Sequence, residues 1–192
     1  KVDARGVMNG IPLDFYTLDP AVTRNGRWLS LSRYTPEKGM LQAINIARRM
    51  NVMLDCVGDV AFVSDRAYVD RCRNLCDGVN VRFFPGVSRE DTVKLYRGSK
   101  ALLFPLQWEE PMGLVPVEAS ACGLPILSLR RGALVETVQD GKNGFLFDDE
   151  EALASAVGNS DILLKYLNPV EIRRAVERSL AVSPEAILVV LT

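Results

Sequence analysis

Short apolar runs rich in strand-forming residues alternate with stretches of helical periodicity along most of the chain, and no other feature constrains the fold as strongly. Residues 28–32, 52–57, 79–83, 101–104, 125–128 and 144–147 read as six strands. Residues 37–50, 65–76, 113–122, 134–138, 150–157 and 169–180 read as helices, the first with Met40, Leu41, Ile44, Ala47 and Met50 at helical spacing. Asp65 or Ser64 is placed to cap the second of them. A further helix opens at Ser88, with Asp91 at its third position as in a capping box. The apolar tail over 184–191 fits helix and strand equally. Strands alternating with helices imply right-handed crossovers and an α/β fold, a Rossmann-like doubly wound parallel sheet of about six strands. Ligands of such sheets bind beyond the carboxyl ends of the strands, so the residues that follow strands matter most.

Composition narrows the function. With 48% apolar residues the chain can bury enough surface to fold. Its 23 Lys+Arg against 24 Asp+Glu leave a net charge of −1, without the basic excess of a nucleic-acid binder. It has no histidine, which removes Ser-His-Asp triads, histidine general bases and histidine metal ligands. No apolar run reaches the ~18–20 residues that span a bilayer. The opening KVDARGVMNG has no signal-peptide core, and its start without Met reads as a cut from something longer. Cys56, Cys72, Cys76 and Cys122 form no CxxC pair and are expected to be small thiols in a reducing cytoplasm rather than metal ligands.

Several phosphate-binding and catalytic signatures are absent: no G-x-G pair, no G-x-x-x-x-G-K-[ST], no G-x-S-x-G and no D-x-D. A ligand must be held by other means, and the segment from Trp108 to Ala119 supplies them. It follows the fourth strand, with Glu110 in a loop, Gly113 allowing close backbone approach, and Glu118 inside the next helix. The amides at the start of that helix, around Met112, Gly113, Leu114 and Val115, suit a phosphate. The two carboxylates suit the hydroxyls of a polyol. Arg33 and Lys38 follow the first strand and would reach the same edge, where they could neutralise a diphosphate. Taken singly, these residues also fit blander roles: Glu118 as a helix-dipole partner, Arg33 and Lys38 as solvated loop charges, Trp108 as packing, residues 148–151 as a helix-start charge cluster. The Phe83-Phe84 pair is expected to split, one ring in the core and one at the edge.

The motifs together resemble the C-terminal, donor-binding half of a family 4 glycosyltransferase of the GT-B fold. The resemblance covers roughly residues 7–160. It runs from Asn9-Gly10-Ile11-Pro12-Leu13-Asp14-Phe15 through Arg33 and Lys38-Gly39, then Phe83-Phe84-Pro85-Gly86 with Leu95-Tyr96. Glu110-Pro111-Met112-Gly113-Leu114-Val115 to Glu118-Ala119 carries the E-x7-E signature, and Gly123-Leu124-Pro125 and Glu136-Thr137-Val138 follow in order. It departs in Ser32, where the family often has Gly, in Met112 for Phe, and in Arg131-Gly132 for Gly-Gly.

That resemblance implies a retaining hexosyltransferase, moving a group such as mannosyl or glucosyl to a glycan or lipid-linked acceptor. Arg33 and Lys38 would bind the donor diphosphate, Glu110 the transferred sugar and Glu118 the ribose. The amides of Met112, Gly113, Leu114 and Val115 would touch sugar and phosphate. The donor would be a nucleotide diphosphate sugar such as GDP-mannose or UDP-hexose, with no metal and no cofactor. The organisation expected is an interdomain linker and lead-in over 1–27, a nucleotide-sugar-binding domain over 28–160 and a C-terminal helical extension over 161–192. The acceptor site, and any contact with the inner face of the membrane, would belong to a missing N-terminal half, in a cytoplasmic enzyme that binds no nucleic acid. Without that half the chain is expected to transfer little or nothing. A non-catalytic module that uses the same edge for protein recognition or nucleotide sensing is the second reading. Another GT-B enzyme, such as a phosphorylase or a nucleotide-sugar epimerase, is the third.

Overall fold

Six parallel strands form one sheet in the order β3-β2-β1-β4-β5-β6 in a computed structural model that describes residues 10–180 other than 62. The strands are β1 (Trp28–Leu31), β2 (Leu54–Val57), β3 (Val81–Phe84), β4 (Leu102–Phe104), β5 (Ile126–Leu129) and β6 (Gly144–Phe147). The helices are α1 (Met40–Arg49), α2 (Arg66–Leu75), α3 (Arg89–Gly98), α4 (Leu114–Ala121), α5 (Leu134–Thr137), α6 (Glu150–Gly158), α7 (Ser160–Leu164) and α8 (Pro169–Leu180). The doubly wound α/β fold is the one expected; Asn9 of the lead-in motif and the tail over 184–191 lie outside the described residues.

Side chains alternate across each strand, and both faces of the sheet are covered, as parallel sheets require. Leu103, Leu127 and Leu129 enter one core with α1, α2 and α6, while Leu102, Phe104 and Ile126 enter the other with α3, α4 and α8. Phe83 and Phe84 split as expected, but between the two cores, and on the edge strand β3 each is half-buried, so neither ring is fully in a core. Phe83 lies 4.6 Å from the Tyr34 ring.

Two strands begin later than their β-propensity suggests. Val52 is spent on ending α1: its N–H returns to the Ala47 carbonyl and that of Asn51, at φ 51°, to Arg48, a Schellman closure. Val79 and Asn80 are spent on a turn around Asp77, whose Oδ1 accepts from the N–H groups of Val79, Asn80 and Val81. The first helix is also shorter than its periodicity. Pro36–Lys38 forms a separate 3-10 turn, and Gly39, at φ 73°, breaks the run before Met40. A Cβ on Gly39 would stand 1.8 Å from the Pro105 carbonyl oxygen, so the segments after β1 and β4 touch through bare backbone.

Capping follows the sequence. Asp65 accepts from the Tyr68 N–H at 2.9 Å, Ser88 from Asp91 at 3.0 Å and Asp149 from Ala152 at 2.8 Å. Asp65→Ala is expected to cost about 1 kcal/mol, read as a lower urea midpoint with an unchanged m-value; no change in midpoint would deny the cap its role.

The lead-in lies against the domain. Arg173 of α8 donates to the carbonyls of Leu13, Tyr16 and Ala121, and Arg97 of α3 to that of Thr17. Arg24 reaches the carbonyls of Lys100 and Gly123. Within β2 the buried Asp55 carboxylate accepts from Arg27 at 2.8 Å and from Arg82 at 2.7 and 2.6 Å. The remaining Arg27 donors go to the carbonyls of Leu54, Val79 and Asn80.

Candidate functional site

β1 and β4 are neighbours, but the chain leaves β1 toward β2 on one side and β4 toward β5 on the other. Loops that part in this way open a crevice at the carboxyl ends of the strands. A cavity of about 350 Å³ lies there, lined by Ser32, Arg33 and Lys38 after β1, by Phe104 at the end of β4, and by Glu110, Pro111, Met112, Gly113, Leu114 and Val115. Seven of the eight residues singled out in the sequence therefore share one cavity; Glu118 is not among its lining.

Its charges are arranged unevenly. Glu110 is buried, and its Oε2 accepts from Lys38 Nζ at 2.5 Å and from the Trp108 indole N–H at 3.0 Å. Lys38 also stands 4.7 Å above the Trp108 ring. Trp108 is 37% exposed, at the rim rather than in the core, where it holds this ion pair from below. Its identity gave no sign of this, because a lone tryptophan in a loop has no periodicity to read. Arg33 is exposed, and its guanidinium makes no ion pair among the described residues.

The loop after β5 is stitched to the Glu110 segment. The Ala133 N–H bonds the Glu110 carbonyl at 2.7 Å, and the Gly132 N–H bonds the Glu109 carboxylate at 2.5 Å. At φ 50°, Gly132 packs so closely that a Cβ would stand 2.2 Å from the Glu110 carbonyl oxygen. On the other side, the Gln107 N–H bonds the Glu37 carbonyl at 2.9 Å, tying the β1 and β4 loops together.

Gly113, at φ 71°, turns the chain into α4. The N–H groups of Leu114 and Val115 then fall in its first turn, where a helix provides them no acceptor, and Pro116 brings no N–H of its own. The mouth of α4 thus offers the cavity backbone donors and the positive end of a dipole.

Glu118 lies deeper in α4, half-buried, with Oε1 taken by the Tyr16 hydroxyl at 2.8 Å and Oε2 by that of Tyr96 at 3.0 Å. Burial pushes both tyrosines above the usual phenol range. Cys56, Cys72 and Cys122 are buried free thiols and Cys76 is half-buried; no cluster of three or more metal-ligating side chains occurs among the described residues.

Comparison with known proteins gives the family and supports the fold. The family described as glycosyl transferases group 1 matches residues 22–171. Spore coat protein SA of Bacillus subtilis (strain 168) is 39% identical over 132 residues, 64% of this chain and 35% of that protein. A D-inositol 3-phosphate glycosyltransferase of Mycobacterium sp. (strain KMS) is 39% identical over 95 residues, 50% of this chain and 21% of that enzyme. The chain thus spans about a third or less of the length of these relatives. Among solved structures, Anabaena HepE in complex with UDP-glucose superposes with a TM-score of 0.69 at 22% identity, over 91% of this chain and 56% of that one, a likeness of fold.

Proposed function

The chain belongs to the group 1 glycosyl transferases, and on that footing we propose that it is the half of a retaining enzyme that binds a nucleotide diphosphate sugar. The observation that carries this reading is the cavity itself, where Arg33, Lys38, the buried Glu110 and the mouth of α4 converge. A diphosphate fits between Arg33, which suits bidentate contact with phosphate, and the first-turn amides of α4. The Lys38–Glu110 pair is neutral as it stands. A diphosphate that draws Lys38 to itself leaves Glu110, still held by Trp108, to accept from hydroxyls of the hexose. Glu118 is the acceptor for the ribose.

Transfer then rests on charge already in place. Arg33, Lys38 and the helix dipole stabilise the departing diphosphate while the sugar takes on oxocarbenium character. Because these groups answer the diphosphate charge, the reading calls for neither metal nor cofactor. The UDP-glucose complex of Anabaena HepE supports a UDP-hexose among the candidate donors, beside GDP-mannose. The acceptor, a glycan or a lipid-linked sugar, falls to the half absent from this chain, as does any contact with the inner face of the membrane, and the enzyme works in the cytoplasm.

Calorimetric titration with UDP, GDP, ADP and their hexose conjugates tests this. One nucleotide is expected to bind, with Arg33→Ala weakening it on the order of 10–100-fold for a charged hydrogen-bonded contact, and Glu118→Ala weakening it as well. A folded chain that binds none of them, or whose affinity neither substitution changes, rejects the reading. Robust sugar transfer by these 192 residues alone would overturn the division of labour between the halves.

A further inference from the structure

Glu118 is held in an unusual way for a carboxylate expected to meet a ligand. It makes no ion pair among the described residues; instead each oxygen accepts from a different tyrosine, Tyr16 at 2.8 Å and Tyr96 at 3.0 Å. Both rings are buried, and the two come from different parts of the chain, Tyr16 from the lead-in and Tyr96 from α3. Tyr16 is fixed independently of Glu118, and Tyr96 is fully enclosed in the core. Tyr16 packs edge-on against Phe15 at 5.2 Å, its carbonyl accepts from Arg173 at 2.6 Å, and the Arg89 guanidinium lies 5.8 Å from its ring. The Tyr16 and Tyr96 rings are themselves 6.3 Å apart.

The direction of these bonds follows from chemistry, since an ionised carboxylate only accepts. The last torsion of a glutamate is broad and nearly two-fold, so a carboxylate free to turn presents its oxygens over a wide arc. One donor on each oxygen pins that torsion, and each oxygen keeps a further acceptor position. Two fixed acceptor positions side by side match the two adjacent O–H donors of a vicinal diol. Binding is then spared the cost of ordering the side chain.

We propose that Tyr16 and Tyr96 are positioning residues that set the Glu118 carboxylate for the ribose 2′,3′-diol of a nucleoside diphosphate. The proposal rests on the donor-binding reading above. It assigns part of the site's selectivity to the lead-in, a segment expected from sequence only to connect domains.

The test pairs UDP, GDP and ADP with their 2′,3′-dideoxy counterparts on the whole chain, wild type beside Tyr16→Phe, Tyr96→Phe, Glu118→Ala and Tyr16→Phe/Glu118→Ala. For the nucleotide that binds, each Tyr→Phe change is expected to raise Kd roughly 3–10-fold and to leave the dideoxy form unchanged. Glu118→Ala should remove the preference for the ribose form, and Tyr16→Phe should add nothing on top of it. If wild type binds no nucleotide, or Glu118→Ala leaves the ribose preference intact, the donor-site reading fails and takes the proposal with it. If Glu118→Ala abolishes the preference while the tyrosine variants keep it, or weaken both ligands equally, the positioning role alone is overturned. Thermal unfolding confirms that each variant is folded. Should Tyr96→Phe not fold, Tyr16→Phe carries the same test.

Discussion

Asp55→Ala is expected to cost about 3–5 kcal/mol of stability, the range for removing one partner from a buried ion pair. The asymmetry of its two partners explains why. Arg27 is 10% exposed in its side chain and Arg82 39%. Without the carboxylate, Arg82 can turn to water, but Arg27 stays enclosed with three carbonyl partners and no counter-charge. Most of the loss is therefore the penalty of an unpaired buried guanidinium. Arg82→Ala should cost only about 1 kcal/mol or less, as an exposed partner does. Urea unfolding of the two variants side by side checks the pair of values. A loss below that of Arg82→Ala would mean that the charge at β2 is compensated from elsewhere.

Gly132→Ala should act on the ligand site as well as on stability. The new methyl group would meet the Glu110 carbonyl oxygen at 2.2 Å and its nitrogen at 2.4 Å, with φ at 50° where a side chain is strained. One of the two loops has to retreat. The overpacking is expected to cost about 1–3 kcal/mol, which leaves room for a folded chain. Glu110 moves with its backbone, and a displacement of about 1 Å at a reacting group can cost on the order of 100-fold in rate. In titrations of the bound nucleotide, the hexose conjugate should lose any affinity advantage over the bare diphosphate, while the diphosphate itself binds nearly as before. A variant that keeps the wild-type preference would show that the β5 loop does not set Glu110.

The sheet was readable because its central strands are buried on both faces and largely apolar, so all six strands were legible, β6 at both ends, while β2 and β3 begin two residues later than expected. Val52 and Val79 are β-formers by nature, yet one closes a helix and the other wraps an aspartate, outcomes decided by Asn51 and Asp77 beside them. Helix breaks were equally hidden: Gly39 interrupts a good helical run because Pro105, far along the chain, comes within contact of its backbone. Glu110 and Glu118 were visible through their spacing and Arg33 and Lys38 through their place after a strand. What supports them was not visible. Tyr16 lies 102 residues from Glu118 and Tyr96 22 residues from it, Trp108 reaches Glu110 only by the fold of a loop, and Asp55 sat unnoticed inside an apolar run. Contacts between single side chains at such separations leave no period in a sequence.

The grip of Arg173 on the carbonyls of Leu13 and Tyr16 has a consequence for how the chain can be shortened or cut. Through it the two ends of the described fold are fastened to each other, and Tyr16 in turn is fastened to Glu118. A protease nick that frees α8, or a truncation that deletes it, would thus be felt at the other end of the described fold and, one contact later, at Glu118, the proposed ribose acceptor. Trimming such a domain to its sheet keeps the cavity walls and loosens one of the ligand's expected handholds.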